Sequence, residues 1–290
     1  MTAVGELRPA ADRRQLLAEA RANLAAAGVE DAGRDALWLL AAACGLDGPA
    51  GAAHGAPLPP EAARRFAEML RRRAAREPVA RIIGRRGFWT LDLAVTPAVL
   101  DPRADTELLV EQVLARLPDR QAPRTVLDLG TGSGCLLLAL LAELPAATGI
   151  GIDLSADALA VARANAATAC LVGRSSFLQG DWGLALTDQC ADILVSNPPY
   201  IASGALPALM PEVRDHDPPL ALDGGQDGLD AYRRIVPDLR RLLRPGGLAA
   251  LEVDAATAAA VTGLLEAAAA KRVVAADDLA GRPRALLAEF

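Results

Sequence analysis

The chain has 290 residues, a hydrophobic fraction of 52%, 23% charged residues and a formal net charge of -6. That length suits one large or two moderate domains, the apolar content excludes a disordered chain, and the acidic balance excludes a nucleic-acid polycation. The longest apolar run, residues 36–46, falls far short of the ~20 residues of a spanning helix. The opening Met1-Thr2-Ala3-Val4-Gly5-Glu6 has no charged region followed by an apolar one, so a soluble cytoplasmic protein without a secretory leader is expected.

Residues 1–80 read as helical, with apolar positions at helical spacing in Leu16-Leu17-Ala20, Ala36-Leu37-Leu40-Ala41 and Phe66-Met69-Leu70. Asp31 is the expected N-cap of the second stretch, and a Gly/Pro/Ala-rich loop over 48–60 separates it from the third. Residues 61–88 carry nine arginines against three glutamates. This basic stretch reads as a solvated helix face, with a partner-binding face as the sharper alternative. The alternation over 88–95 predicts a strand belonging to a hairpin. From about residue 104, strands predicted at 125–129, 148–152, 191–196 and 248–253 alternate with helices at 106–117, 135–144, 156–169, 230–243 and 257–270. Residues 272–275 and 285–288 are expected as two closing strands. The organisation is therefore a helical domain over 1–80, a linker and hairpin over 81–103, and an α/β domain over 104–290. Its doubly wound sheet should carry a ligand crevice at the C-terminal strand ends. Cys44, Cys135, Cys170 and Cys190 form no C-x-x-C pair, and the histidines are His54 and His216 alone. Neither a disulfide frame nor a metal site is expected.

Four motifs carry the chemistry. Asp128-Leu129-Gly130-Thr131-Gly132-Ser133-Gly134 ends the first strand of the α/β domain, and its alternate glycines allow a sharp turn with a ligand against the backbone. A dinucleotide fingerprint would read G-x-G-x-x-G; here the spacing is G-x-G-x-G after an acid, which suits a cationic ligand better than a pyrophosphate. Asp153 ends the next strand, where a carboxylate can accept from both hydroxyls of a ribose or serve as a helix cap. Gly180-Asp181-Trp182, read as lying just before the following strand, suits an adenine by stacking and hydrogen bonding, with a structural tryptophan as the alternative. Asn197-Pro198-Pro199-Tyr200 follows the strand at 191–196. Its prolines fix the chain direction and leave the Asn197 side chain and the Pro198 carbonyl as acceptors, with Tyr200 as an aromatic wall. Two acceptors can take both hydrogens of a planar NH2 group and aim its nitrogen along one line.

Together these residues resemble the class I S-adenosylmethionine-dependent methyltransferases, and the Asn-Pro-Pro-Tyr tetrad resembles that of members acting on planar nitrogens. Glu77-Pro78-Val79-Ala80-Arg81-Ile82-Ile83-Gly84 with Phe88, Leu100-Asp101-Pro102-Arg103-Ala104-Asp105-Thr106-Glu107, Glu212-Val213 and Ala221-Leu222-Asp223-Gly224-Gly225-Gln226-Asp227-Gly228-Leu229 extend the resemblance over nearly the whole chain. They are similar to the peptide chain release factor N5-glutamine methyltransferases (PrmC/HemK). The resemblance implies a Rossmann-like, seven-stranded, mostly parallel sheet behind a small all-helical domain that recognises substrate. It implies S-adenosyl-L-methionine as cofactor, and as substrate the Gly-Gly-Gln glutamine of release factors 1 and 2. A monomer with no membrane or direct nucleic-acid partner is expected. By the same resemblance Gly130, Thr131, Gly132, Ser133 and Gly134 line the methionine part, Asp153 holds the ribose and Trp182 contacts the adenine. Asn197, Pro198, Pro199 and Tyr200 hold the glutamine amide, with Asn197, Pro198 and Tyr200 as the catalytic set and Asn197 also near the sulfonium. Two departures stand out: Asp101 replaces an aliphatic residue before Pro-Arg, and Glu252-Val253-Asp254 replaces Glu-Ile-Gly followed by Gln, so that loop receives no role. The competing reading is a methyltransferase for the exocyclic amine of a nucleic-acid base, because the tetrad suits a flipped adenine or guanine equally well.

Overall fold

The structure, a computed structural model, describes residues 12–290. It contains two compact units: the chain through Gly84 together with Met210–His216, and Arg85–Leu209 together with Asp217–Phe290. The first unit holds α1 (Arg13–Ala26), α2 (Ala32–Ala43), α3 (Pro60–Ala74) and α4 (Val79–Ile83). The helical spacing read from the sequence faces one core, in which Leu16, Leu24, Leu39, Leu40, Phe66 and Leu70 are all buried. Pro60 opens α3, where a missing N–H costs no hydrogen bond. Asp31 precedes α2 but makes no capping hydrogen bond; its carboxylate instead lies 2.9 Å from the Arg34 guanidinium.

The helical unit runs past residue 80 to Gly84 and takes in a segment from much later in the chain. That segment, Met210–His216, brings Glu212 into a buried ionic cluster. The Arg73 guanidinium donates to Asp35 at 2.8 Å and to Glu212 at 2.9 Å, and Arg76 donates twice to Glu212 at 2.6 and 2.7 Å. Burial alone would push the Glu212 carboxyl upward, but Arg76 and Arg73 hold it down at about 2. The expected basic stretch is thereby largely neutralised within the protein. Arg64 and Arg65 pair with Glu61, Arg71 with Glu68, Arg72 with Glu77, Arg85 with Asp92 and Arg86 with Asp101. With Arg73 and Arg76 on Glu212, the run is matched by carboxylates along its length.

The second unit opens with a hairpin of β1 (Arg85–Phe88) and β2 (Leu91–Ala94). The alternation over 88–95 therefore spans a turn at Trp89-Thr90 and not one continuous strand. A seven-stranded sheet follows, built from β3 (Thr125–Leu129), β4 (Thr148–Asp153), β5 (Ser175–Gln179), β6 (Ala191–Ser196), β7 (Leu243–Glu252), β8 (Arg272–Asp277) and β9 (Pro283–Glu289). The order is β5-β4-β3-β6-β7-β9-β8; β5 through β7 are parallel, and β9 and β8 close the sheet antiparallel. Successive residues of β3 point to opposite faces, so Val126 joins one core with Val113, Leu137 and Leu141, and Leu127 joins the other with Tyr232, Leu239 and Val261. The two cores are covered by α5 (Glu107–Arg116), α6 (Cys135–Glu143) and α7 (Ala156–Thr168) on one face, and by helices Asp230–Leu242 and Ala258–Ala267 on the other. The unanticipated element is β5: as an edge strand it buries Phe177 alone, which leaves little apolar signal. Gly180-Asp181-Trp182 consequently follows a strand. No helix among the described residues is long and apolar enough to cross a membrane.

Candidate active site

The strand order explains why motifs distant in sequence converge. From β3 the chain builds outward to β4 and β5, then returns to place β6 on the other side of β3. This reversal opens a crevice beyond the C-terminal ends of β3 and β6. Leu129 lies in register with Ile152, Asp153 with Gln179 and Asp128 with Val195, so the residues after the four strands form one row. They line a cavity of about 450 Å³ that includes Asp128, Gly130, Thr131, Gly132, Ser133, Asp153, Trp182, Asn197 and Pro199. Gly134, Pro198 and Tyr200 are not part of that lining. Gly134 caps α6 in the left-handed region, and Pro198 is buried.

The glycine loop is held open by specific contacts. Gly130 and Thr131 both donate their N–H to the Ile152 carbonyl at 2.9 Å, and Gly132 donates to Asp153 Oδ2 at 2.8 Å. Gly130 has φ 73°, and a Cβ there would sit 3.3 Å from the Trp182 ring, so any side chain would be strained and would press on the indole. The other Asp153 oxygen accepts from Ser155 N at 2.9 Å. The side-chain cap of α7 is Ser155, which accepts from Ala158 N. Asp153 therefore braces the loop from the cavity wall. Asp181, beside Trp182, pairs with Arg234.

Asp128 is the electrostatic oddity. Its Oδ2 accepts from Thr131 Oγ1 at 2.7 Å, while Oδ1 is buried and finds no partner. Burial, reinforced by the Asp153 charge, pushes the carboxyl up to about 7. A buried carboxylate oxygen without a donor is costly, and a cationic or N–H-bearing ligand group would relieve it. The sequence showed the acid before the glycines; that it is orphaned emerges from the fold.

At the tetrad, Asn197 Nδ2 donates to Thr106 Oγ1 at 3.2 Å. Thr106 in turn donates to Glu252 Oε2 at 2.6 Å, and the Tyr200 hydroxyl reaches Glu252 Oε1 at 3.4 Å. Tyr200 thus faces Glu252, with burial raising its pKa above the ordinary phenol range. The backbone behind the tetrad is braced by the 222–228 loop, where Ile201 N donates to Leu222 O and Gly224 N to Ile201 O. A Cβ on Gly228 would sit 2.4 Å from the Tyr200 carbonyl, so only glycine permits this approach. Sequence reasoning assigned no role to Thr106 or Glu252. It also missed the cavity walls contributed by Leu100, Pro102, Arg103, Leu220 and Asp223; the motif-bearing segments around them carried the only signal.

This crevice and strand order are those of a class I methyltransferase fold, and residues 121–272 match the family described as a methyltransferase domain. Residues 15–84 match the PrmC N-terminal domain. The chain is 50% identical over 269 residues to the release factor glutamine methyltransferase of Cereibacter sphaeroides, covering 92% of this chain and 95% of that protein. It is 47% identical to that of Moorella thermoacetica, covering 95% and 97%. The chain belongs to the release factor glutamine methyltransferase family. Among solved structures it resembles the hMettl16 catalytic domain in complex with MAT2A 3'UTR hairpin 6, with a TM-score of 0.54 at 17% identity over 70% of this chain and 76% of that one. It also resembles the Thermus thermophilus 16S rRNA methyltransferase RsmC in complex with AdoMet and guanosine, with a TM-score of 0.52 at 23% identity over 71% and 49%. These two likenesses concern the fold. The seven-stranded, mostly parallel sheet and the all-helical first unit expected from the sequence are both present.

Proposed function

We propose that the enzyme transfers a methyl group from S-adenosyl-L-methionine to the side-chain amide nitrogen of the Gly-Gly-Gln glutamine in release factors 1 and 2, acting in the cytoplasm as a monomer. The observation that carries this reading is the placement of Asn197 at the cavity wall with its Nδ2 already committed to Thr106, in a chain about half identical to relatives of that name. The orphaned Asp128 oxygen suits the ammonium of the cofactor, the glycine loop its methionine part, Asp153 its ribose and Trp182 its adenine. When bound there, the cofactor supplies an electrophilic methyl on a sulfonium. The protein's task is to make an amide nitrogen, whose lone pair is delocalised into its carbonyl, face that methyl. Asn197 Oδ1 and the Pro198 carbonyl accept the two amide hydrogens and polarise the nitrogen, and one of those protons is released to water after transfer. Fixed acceptors need no reorganisation during transfer, and holding the partners at near-attack distance can contribute ~7–11 kcal/mol.

The tetrad recognises only a planar amide, so selectivity among glutamines comes from surface remote from the chemistry. We assign that role to the helical unit. The internally paired arginine run is a poor candidate for the contact, because its charges are already matched. A nucleic-acid substrate is disfavoured by the same pairing and by the net charge of -6. Transfer of labelled methyl to purified release factor, a short Gly-Gly-Gln peptide, tRNA and DNA in parallel tests the reading. The intact factor should be methylated with far higher kcat/KM than the peptide, and the nucleic acids not at all. Asn197→Ala should lower kcat by ~10²–10³. Methylation of tRNA or DNA in place of the factor would overturn the assignment.

A further inference from the structure

Glu252 is a buried carboxyl at the end of β7 that the reaction described above does not use. It is linked to the tetrad through a chain of hydrogen bonds with a definite polarity. A threonine hydroxyl has one hydrogen to give, and Thr106 gives it to Glu252 Oε2 at 2.6 Å. Toward Asn197 the same oxygen can then only accept, which it does from Nδ2 at 3.2 Å. A side-chain amide with its nitrogen committed on one side presents its oxygen on the other. We propose that Thr106 and Glu252 are positioning residues: the ionised Glu252 makes Thr106 an obligate acceptor, which locks the Asn197 amide with Oδ1 available to the substrate nitrogen.

This inference rests on the assignment of Asn197 as the amide acceptor. Without the relay, the Asn197 amide can turn over and offer a donor where an acceptor is needed. The relay is held from several sides. The Glu252 main-chain carbonyl accepts from Tyr232 at 2.7 Å, and its second carboxylate oxygen receives the Tyr200 hydroxyl. Arg284 on β9, Asp105 beside Thr106, Tyr200, Tyr232 and Cys135 are the charged and titratable groups that act on the carboxyl, and Asp254 acts on both tyrosines. Burial outweighs Thr106 and Arg284 and pushes the carboxyl up to about 7. Protonated Glu252 could donate to Thr106 and reverse the polarity, so kcat at saturating cofactor should rise with pH through about 7.

The test compares Thr106→Val, which keeps the shape and deletes the relay, with Thr106→Ser, which restores the hydroxyl, in the full-length enzyme with release factor as substrate. Thr106→Val should lower kcat about tenfold to a hundredfold and lose the rise with pH, with cofactor affinity by calorimetry unchanged within about twofold. Thr106→Ser should recover most of kcat and the pH rise. Wild-type kcat in Thr106→Val, or a loss that serine does not recover while cofactor still binds, would overturn the relay. If the wild-type enzyme instead methylates a nucleic-acid amine and not the factor, the functional assignment fails separately, and the same variants judge the relay on that substrate.

Discussion

The two units treat buried charge in opposite ways. In the helical unit, Glu212 is enclosed with two guanidinium partners and held down at about 2. In the methyltransferase unit, Asp128 and Glu252 are enclosed without a hydrogen-bonded cation, and both are pushed up to about 7. A paired charge inside a protein is a structural fitting whose removal strands its partner. An unpaired one is tolerated where a ligand or a reaction makes use of it. The difference separates a cluster that holds its unit together from carboxyls that stand at the cavity or directly behind its Thr106 wall.

The largest effect expected from this contrast is on stability. Glu212→Ala leaves Arg73 and Arg76 enclosed with a lost partner and should destabilise the protein by about 3–5 kcal/mol, read as a lower denaturation midpoint. A change near zero would make the cluster idle and erase the comparison. Next, with the ribose placed at Asp153 as proposed, Asp153→Ala should weaken cofactor binding by about 1.5–3 kcal/mol by calorimetry, through loss of that acceptor and of the brace on Gly132 N. Unchanged affinity would confine Asp153 to bracing. Smaller and of opposite sign, Asp128→Asn should stabilise the cofactor-free enzyme by about 1–2 kcal/mol at pH 8 while weakening cofactor binding. The sign follows from linkage. A carboxyl with a folded pKa raised from 3.8 to about 7 contributes stability that is complete below about pH 4 and lost as pH rises through about 7. Removing the charge therefore helps at pH 8 and gives nothing at pH 4; a gain at both values would point to packing. Smallest of all, Arg71→Ala, which breaks an exposed pair with Glu68 on the same helix, should leave the melting temperature unchanged within error.

The same contrast marks what the sequence could reveal. The parallel sheet was legible because each buried strand is a short apolar run flanked by turns, and the glycine loop and tetrad because each is contiguous. β5 escaped because an edge strand with one buried residue has no such run. The reach of Met210–His216 into the helical unit escaped because Arg76 and Glu212 are 136 positions apart. Thr106 and Glu252 stand 146 positions apart, and neither carries a local pattern. Partnerships of this kind are set by the strand order, which brings the end of β7 beside the end of β6.

The late return of Met210–His216 has a consequence for the newborn chain. Synthesis delivers the helices through Gly84 ahead of Glu212, and the carboxylate that completes their ionic cluster comes 128 residues later. At roughly 5–20 residues per second that is a delay of about 6–26 s, during which Arg76 lacks the two hydrogen bonds it makes to Glu212 in the finished protein. The helical unit is thus finished long after its own helices have emerged. Ribosome-bound chains halted before residue 210 should be cut by protease within α3 more readily than chains halted well beyond residue 216, and equal cutting would show that the helices settle without their final piece.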